Sequence, residues 1–235
     1  MPKQEHEKVM LAEHVLEVRH AASGTFLDVR GKMADYVRKQ NVFQHWKIDT
    51  NVVNFRDDPD KIKTEGAFIG YKSAGYVVLN SPTRNFFTGR ASVFWKALLR
   101  NTTYTVPEPT RFGVRTKLFI PSNRAFDDIN SDMFQSLFTD KARSLFGGKE
   151  RDLQFTIDLS DAGFDIRVIG GPIHKDEAKK YFQFEAEDLK KCGLFLDIDY
   201  FKTSNVSLNA VPKLLQEAVS GMWMKAERIA SGLGL

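Results

Sequence analysis

Residues 105–120 read TVPEPTRFGVRTKLFI, and the change of character inside this stretch decides the fold. Pro107 and Pro109 interrupt regular structure, so residues 105–109 mark a joint. After it, Arg111, Gly113, Arg115 and Lys117 alternate with Phe112, Val114 and Leu118. That period of two predicts a strand over 111–120, charged on one face and apolar on the other. Near the start of the chain, residues 13–20 (EHVLEVRH) alternate in the same way, with His14, Leu16, Val18 and His20 sharing a face.

Each of these strands is followed by a helical stripe. Phe26, Val29, Met33 and Val37 predict a helix over 25–39, with Thr25 and Asp28 as its capping box. Phe126, Ile129, Met133 and Leu137, continued by Phe134, Phe138 and Leu145, predict one over 126–145, ended by Gly147-Gly148. Further strands are predicted at 45–56 (HWKIDTNVVNFR), at 67–71 and 76–80 around a Ser73-Ala74-Gly75 turn, at 153–159 and 164–169 around Asp161-Ala162-Gly163, at 181–185, and at 194–201 (LFLDIDYF). A helix opens at Ser81-Pro82 with Phe87, Ala91, Phe94 and Leu98 as its buried stripe. The last helix carries Leu208, Val211, Leu215, Met222, Ala226 and Ile229 and stops before Gly232.

The expected class is therefore α+β: two β-α-β(3-4)-α pseudo-repeats, about 11–104 and 110–231, after a polar N-terminal tail at 1–10. Two such halves joined edge to edge make a curved antiparallel sheet with helices on one face. This order resembles the duplicated fold of the TATA-binding protein and its relatives, a likeness of architecture that carries no function. The segments SVFWKALL (92–99), RFGVRTKLF (111–119) and LFLDIDYF (194–201), with the long final helix, also resemble a sporadically distributed family of uncharacterised bacterial proteins. The matching positions are Trp95, then Arg111, Gly113 and Arg115, then Asp197 and Asp199. That resemblance implies no activity. It hints at a mobile accessory role such as phage defence.

Composition bounds the rest. The chain has 235 residues, 42% hydrophobic and 27% charged, with 19 phenylalanines for an aromatic core. The single cysteine, Cys192, fits a reducing compartment, and no apolar run reaches the length of a membrane span. The expected location is the cytoplasm. The net charge is +4 and the isoelectric point about 9.0. Residues 66–107 hold no acid but contain Lys72, Arg84, Arg90, Lys96 and Arg100, an anion-binding candidate or a solvated helix face. From 111 to the end, acids and bases are equal in number.

The candidate ligand-binding residues are Arg111, Arg115, Asp197 and Asp199. By alternation each pair shares a strand face, and neighbouring strands would bring all four together, with Gly113 admitting a ligand or chain. Arginine forks suit anions, and two carboxylates suit a magnesium-bridged phosphate; the same pattern also serves as a cross-strand salt-bridge network. The histidines His6, His14, His20, His45 and His174 show no metal spacing. Lys190 and Lys191 could depress the Cys192 thiol. No phosphate loop, serine elbow, kinase set or dinucleotide fingerprint is present, and no catalytic residue, metal or cofactor is implied. Three classes stay open. The first is a non-catalytic binding or regulatory protein with a protein partner or a homodimer, extended through Trp223 and Met224. The others are a nucleic-acid module using 66–107 and a small-molecule or metal-dependent site at the arginine–aspartate cluster.

Overall fold

The computed structural model describes residues 10–183 and 191–235. The expected tail at 1–10, apart from Met10, and the positions His6 and Lys190 lie outside them. The elements are β1 (Leu11–His20), α1 (Gly24–Lys39), β2 (His45–Ile48), β3 (Val52–Arg56), β4 (Glu65–Gly70), β5 (Ser73–Val78), α2 (Phe86–Leu99), β6 (Pro109–Ser122), α3 (Phe126–Leu137), α4 (Asp140–Phe146), β7 (Phe155–Asp161), β8 (Phe164–His174), α5 (Lys175–Ala178), β9 (Cys192–Lys202) and α6 (Val211–Gly232). The protein is α+β. Its nine described strands form one sheet in the order β2-β3-β4-β5-β1-β6-β9-β8-β7. Every neighbouring pair is antiparallel.

Register assigns the faces. Leu16 lies opposite Tyr76 on β5 and Val114 on β6, and Val114 lies opposite Tyr200 on β9. These residues are buried in one core with Phe26 and Met33 of α1, Phe94 and Trp95 of α2, Ile129 of α3, and Leu215 and Met222 of α6. The four longer helices thus cover a single face, and its burial drives the fold. No described helix is long and apolar enough to cross a membrane.

Several expected boundaries move for local reasons. Ser23, not a Thr25–Asp28 box, caps α1, accepting from the Phe26 amide at 3.3 Å. The stretch 45–56 is two strands, because Asp49-Thr50-Asn51 turns the chain and the Asp49 amide bonds the Val52 carbonyl. The next turn falls at Tyr71-Lys72, while Ser73 to Gly75 pair with β1. Gly75 is needed inside that strand because a Cβ there would stand 2.4 Å from the Phe68 ring. α2 begins at Phe86 rather than at Ser81-Pro82, since the Ser81 hydroxyl donates to the Thr83 carbonyl and its amide is held by Ala12 of β1. The 126–145 helix breaks at Phe138, which turns extended, and Thr139 caps α4. The predicted strand at 181–185 is absent over 181–183, and Phe184 and Glu185 lie outside the described residues.

The β7–β8 hairpin turns on Ala162 (φ 50°) and Gly163 (φ 77°), a left-handed pair. Alanine carries a Cβ penalty there that asparagine reduces. Ala162→Asn is expected to raise unfolding free energy by about 0.5 kcal/mol, read as a higher urea midpoint.

Candidate binding face of the sheet

The sheet's second face is built by the alternate residues. β1 presents Glu13, Val15, Glu17 and Arg19; β6 presents Arg111, Gly113, Arg115 and Lys117; β9 presents Asp197 and Asp199. The structure brings the four sequence-derived candidates together at the centre of this face, where β1, β6 and β9 adjoin. Their pairing is diagonal. Arg115 faces Asp199 in register but forks onto Asp197, with Nε at 2.8 Å and Nη2 at 2.5 Å. Arg111 donates to Asp199 at 3.1 Å, lies 5.0 Å from the Phe201 ring and approaches Glu17 at 3.8 Å. Lys117 turns the other way, to Glu13 at 2.9 Å, and Arg19 bonds Glu17 at 2.8 Å. Outward from this cluster, Arg167 pairs with Asp158 at 2.7 Å and Lys47 with Asp49 at 3.0 Å.

Burial raises the Asp199 carboxyl above its ordinary range, against the pull of Arg111 and Arg115. The hydrogen bond to Asp197 holds the Arg115 proton more firmly than usual. The space beside Gly113 does not admit a foreign chain: a Cβ there would lie 2.5 Å from Nη1 of Arg111, whose own guanidinium fills it.

Two cavities open on this face. One, about 330 Å³, is lined by Glu13, Val15, Glu17, Arg19, Arg111, Gly113, Arg115, Lys117, Gln183 and Asp199. The other, about 310 Å³, lies among Lys47, Asp49, Asn54, Arg56, Ile62 and Phe68. Val15 borders the first and Val77 the second, and these two valines are register partners, so the cavities adjoin.

Part of the face is covered by the chain itself. After β8, α5 and the residues to Gln183 pass over β9 and β6 to β1. The Tyr181 ring lies 4.7 Å from Phe195. Lys117 donates to the Tyr181 carbonyl at 2.8 Å, and the Gln183 amide donates to Glu13 at 2.9 Å. Beneath this strap, Leu11, Phe119, Ile173, Ala178, Phe182 and Phe195 form a small core separate from the main one. Sequence reasoning missed the strap and the β1 residues. The signal was available: Phe119 and Phe195 alternate onto the charged face, where an uncovered aromatic would be costly.

The five cations of 66–107 do not join this face. Lys72 sits in the β4–β5 turn over the Tyr71 ring. Arg84 precedes α2, pairs with Glu227 at 2.5 Å and lies over Trp223. Arg90 forks onto Glu65, which also accepts from Tyr76. Lys96 and Arg100 lie at the end of α2, on the helix side. Cys192 is buried with its Sγ 3.0 Å from the Arg124 carbonyl, and burial pushes its thiol up rather than down. No three metal-ligating side chains converge among the described residues. Exposed apolar side chains gather elsewhere, at Leu145 and Phe146 of α4.

The chain matches no protein-family model, and neither the curated proteins nor the solved structures compared with it give a match.

Proposed function

We propose that this is a non-catalytic binding protein that holds a protein partner on the open sheet face. The observation that carries the reading is the strap. The face already holds main chain: Lys117 takes a carbonyl, Glu13 takes an amide, and aromatic anchors seat beside them. The remainder, not covered by the described residues, offers the same chemistry beside two adjoining cavities. Its charges are mutually paired, which suits orientation of a mixed-charge protein surface better than attraction of a polyanion.

The same proposal takes the halves at about 11–104 and 110–231 as pseudo-repeats in an arrangement like that of the TATA-binding protein. Support comes from the centre of the sheet, where the opening strands β1 and β6 adjoin and each is flanked by the last strand of its own half, β5 or β9. A cytoplasmic location and an accessory role rest on the lone thiol and on the family resemblance.

The test is capture of the partner by the purified full chain and by two variants. Val15→Arg places a bulky charge on the ridge between the cavities and is expected to weaken capture by about tenfold or more. Phe146→Asp, on exposed α4, is expected to leave it unchanged. Retention by Val15→Arg together with loss by Phe146→Asp would move the interface to α4 and end the proposal.

A further inference from the structure

We infer that the 330 Å³ cavity between the strap and Arg19 is a carboxylate-binding site, taking an Asp or Glu side chain or the terminal carboxylate of a peptide laid on the open face. The inference rests on the protein-binding reading above and adds a ligand group to it.

The argument begins with which charges are accessible. In two of the pairs at the cavity, the guanidinium sits above its carboxylate. The Arg19 side chain is 56% exposed and the Glu17 carboxylate below it 28%. The Arg115 side chain is 53% exposed and Asp197 only 9%. Glu13 is buried under Lys117 and the strap. At Arg19 and Arg115 a visitor therefore meets N–H groups, while Arg111 lies lower, beside Asp199.

Those donors have capacity left. Arg19 uses Nε for Glu17, and Arg115 uses Nε and Nη2 for Asp197. A guanidinium carries five N–H bonds in a fixed plane, so both keep a terminal nitrogen for a further acceptor. Arg19 and Arg111 are direct register partners across β1 and β6, and Arg115 lies on the same face four residues from Arg111.

Local charge limits the ligand. Four cations line the cavity (Arg19, Arg111, Arg115, Lys117) with Glu13, Glu17 and Asp199, and Asp197 beneath Arg115 makes the cluster neutral. A carboxylate would therefore be held by forked hydrogen bonds rather than by net charge, and a phosphate dianion would meet stronger repulsion from Glu17 and Asp199. The main-chain contacts continue into the site, because Gln183 both bonds Glu13 and lines the cavity.

The experiment follows the arginine Nε–Hε and backbone amide signals of the full chain by NMR during titration with four probes. These are acetylated tetra-alanine with a free carboxyl terminus, the same peptide amidated, an amidated peptide with one internal glutamate, and inorganic phosphate. Saturable shifts at Arg19 and Arg115 are expected with either carboxylate peptide and not with the neutral amide. Which of the two binds more tightly tells a terminal from a side-chain carboxylate. Arg19→Gln removes an exposed side chain and is expected to weaken binding by about tenfold. Arg115→Lys keeps the charge over Asp197 but loses the fork, and is expected to do the same. The inference is overturned if phosphate binds more tightly than both carboxylates, if both variants bind like the parent chain, or if no probe shifts these signals. Shifts by the neutral amide confined to Val15 and Gln183 would sink the carboxylate site while leaving the peptide-binding face standing.

Discussion

Trp95→Ala is expected to lower the unfolding free energy by about 3–5 kcal/mol, the range for truncating a fully buried aromatic. Trp95 is wholly buried in α2, and its indole N–H donates to the Leu208 carbonyl at 2.8 Å, just before α6. The side chain thus fills the core between helices and also fixes the entry of the last helix, 113 residues further along the chain. Folding domains of this size are stable by only about 5–15 kcal/mol, so the loss is a large share of the whole. Trp95→Phe separates the two roles. It keeps most of the apolar volume and removes the donor, and is expected to cost about 1–3 kcal/mol. Urea unfolding followed by circular dichroism reads both. An alanine cost under about 1 kcal/mol would show that the α2–α6 junction relaxes around the gap.

The junction also shows what the sequence could reveal. The stripe Phe87, Ala91, Phe94 and Leu98 was legible because helical periodicity is local, and all four are buried. The partner of the Trp95 indole was not, because nothing near position 95 encodes a carbonyl at position 208. The same division holds on the sheet. Alternation in RFGVRTKLFI and LFLDIDYF placed Arg111, Arg115, Asp197 and Asp199 on one face each, and adjacency of β6 and β9 joins them. Which arginine takes which aspartate was not legible. Long side chains reach diagonally, and Arg115 prefers Asp197 to its register partner Asp199. β1 illustrates a reading left half used. The alternation that put His14 and Leu16 inside also put Glu13, Glu17 and Arg19 on the opposite face, where they complete the cluster. Turn positions failed where side chains compete for the backbone, as at Ser81, whose hydroxyl donates to a carbonyl instead of capping a helix. The strap escaped because its packing depends on tertiary neighbours, Phe119 and Phe195, that periodicity assigns to a solvent face.

Acid should destabilise this protein well before its carboxylates titrate, and His14 is the expected cause. Its ring is completely buried, stacks on Phe87 at 4.8 Å and meets Trp223 edge-on at 5.9 Å. Nδ1 lies 2.8 Å from the Thr116 hydroxyl, which donates onward to the Met222 sulfur, so Nδ1–H is the donor and Thr116 the acceptor. Nε2 finds no partner among the described residues. No carboxylate is among these neighbours to stabilise an imidazolium, and burial lowers the pKa from 6.5 to about 3. The sign follows from proton counts. Above pH 6.5 the ring is neutral in both folded and unfolded chains, and stability does not depend on it. Between pH 6.5 and about 3 the unfolded chain takes up a proton that the folded chain refuses, so stability falls as pH falls. The slope approaches about 1.4 kcal/mol per pH unit for one such group. His20, also lowered by burial, adds to the parent slope. His14→Leu removes the ionisable ring and should cost little at pH 7, because Thr116 keeps its bond to Met222. Between pH 7 and 5 its urea midpoint is expected to fall much less than the parent's. Equal falls in the two proteins would mean that water or a rearrangement lets His14 ionise inside the fold, and the acid response would then have to come from another group.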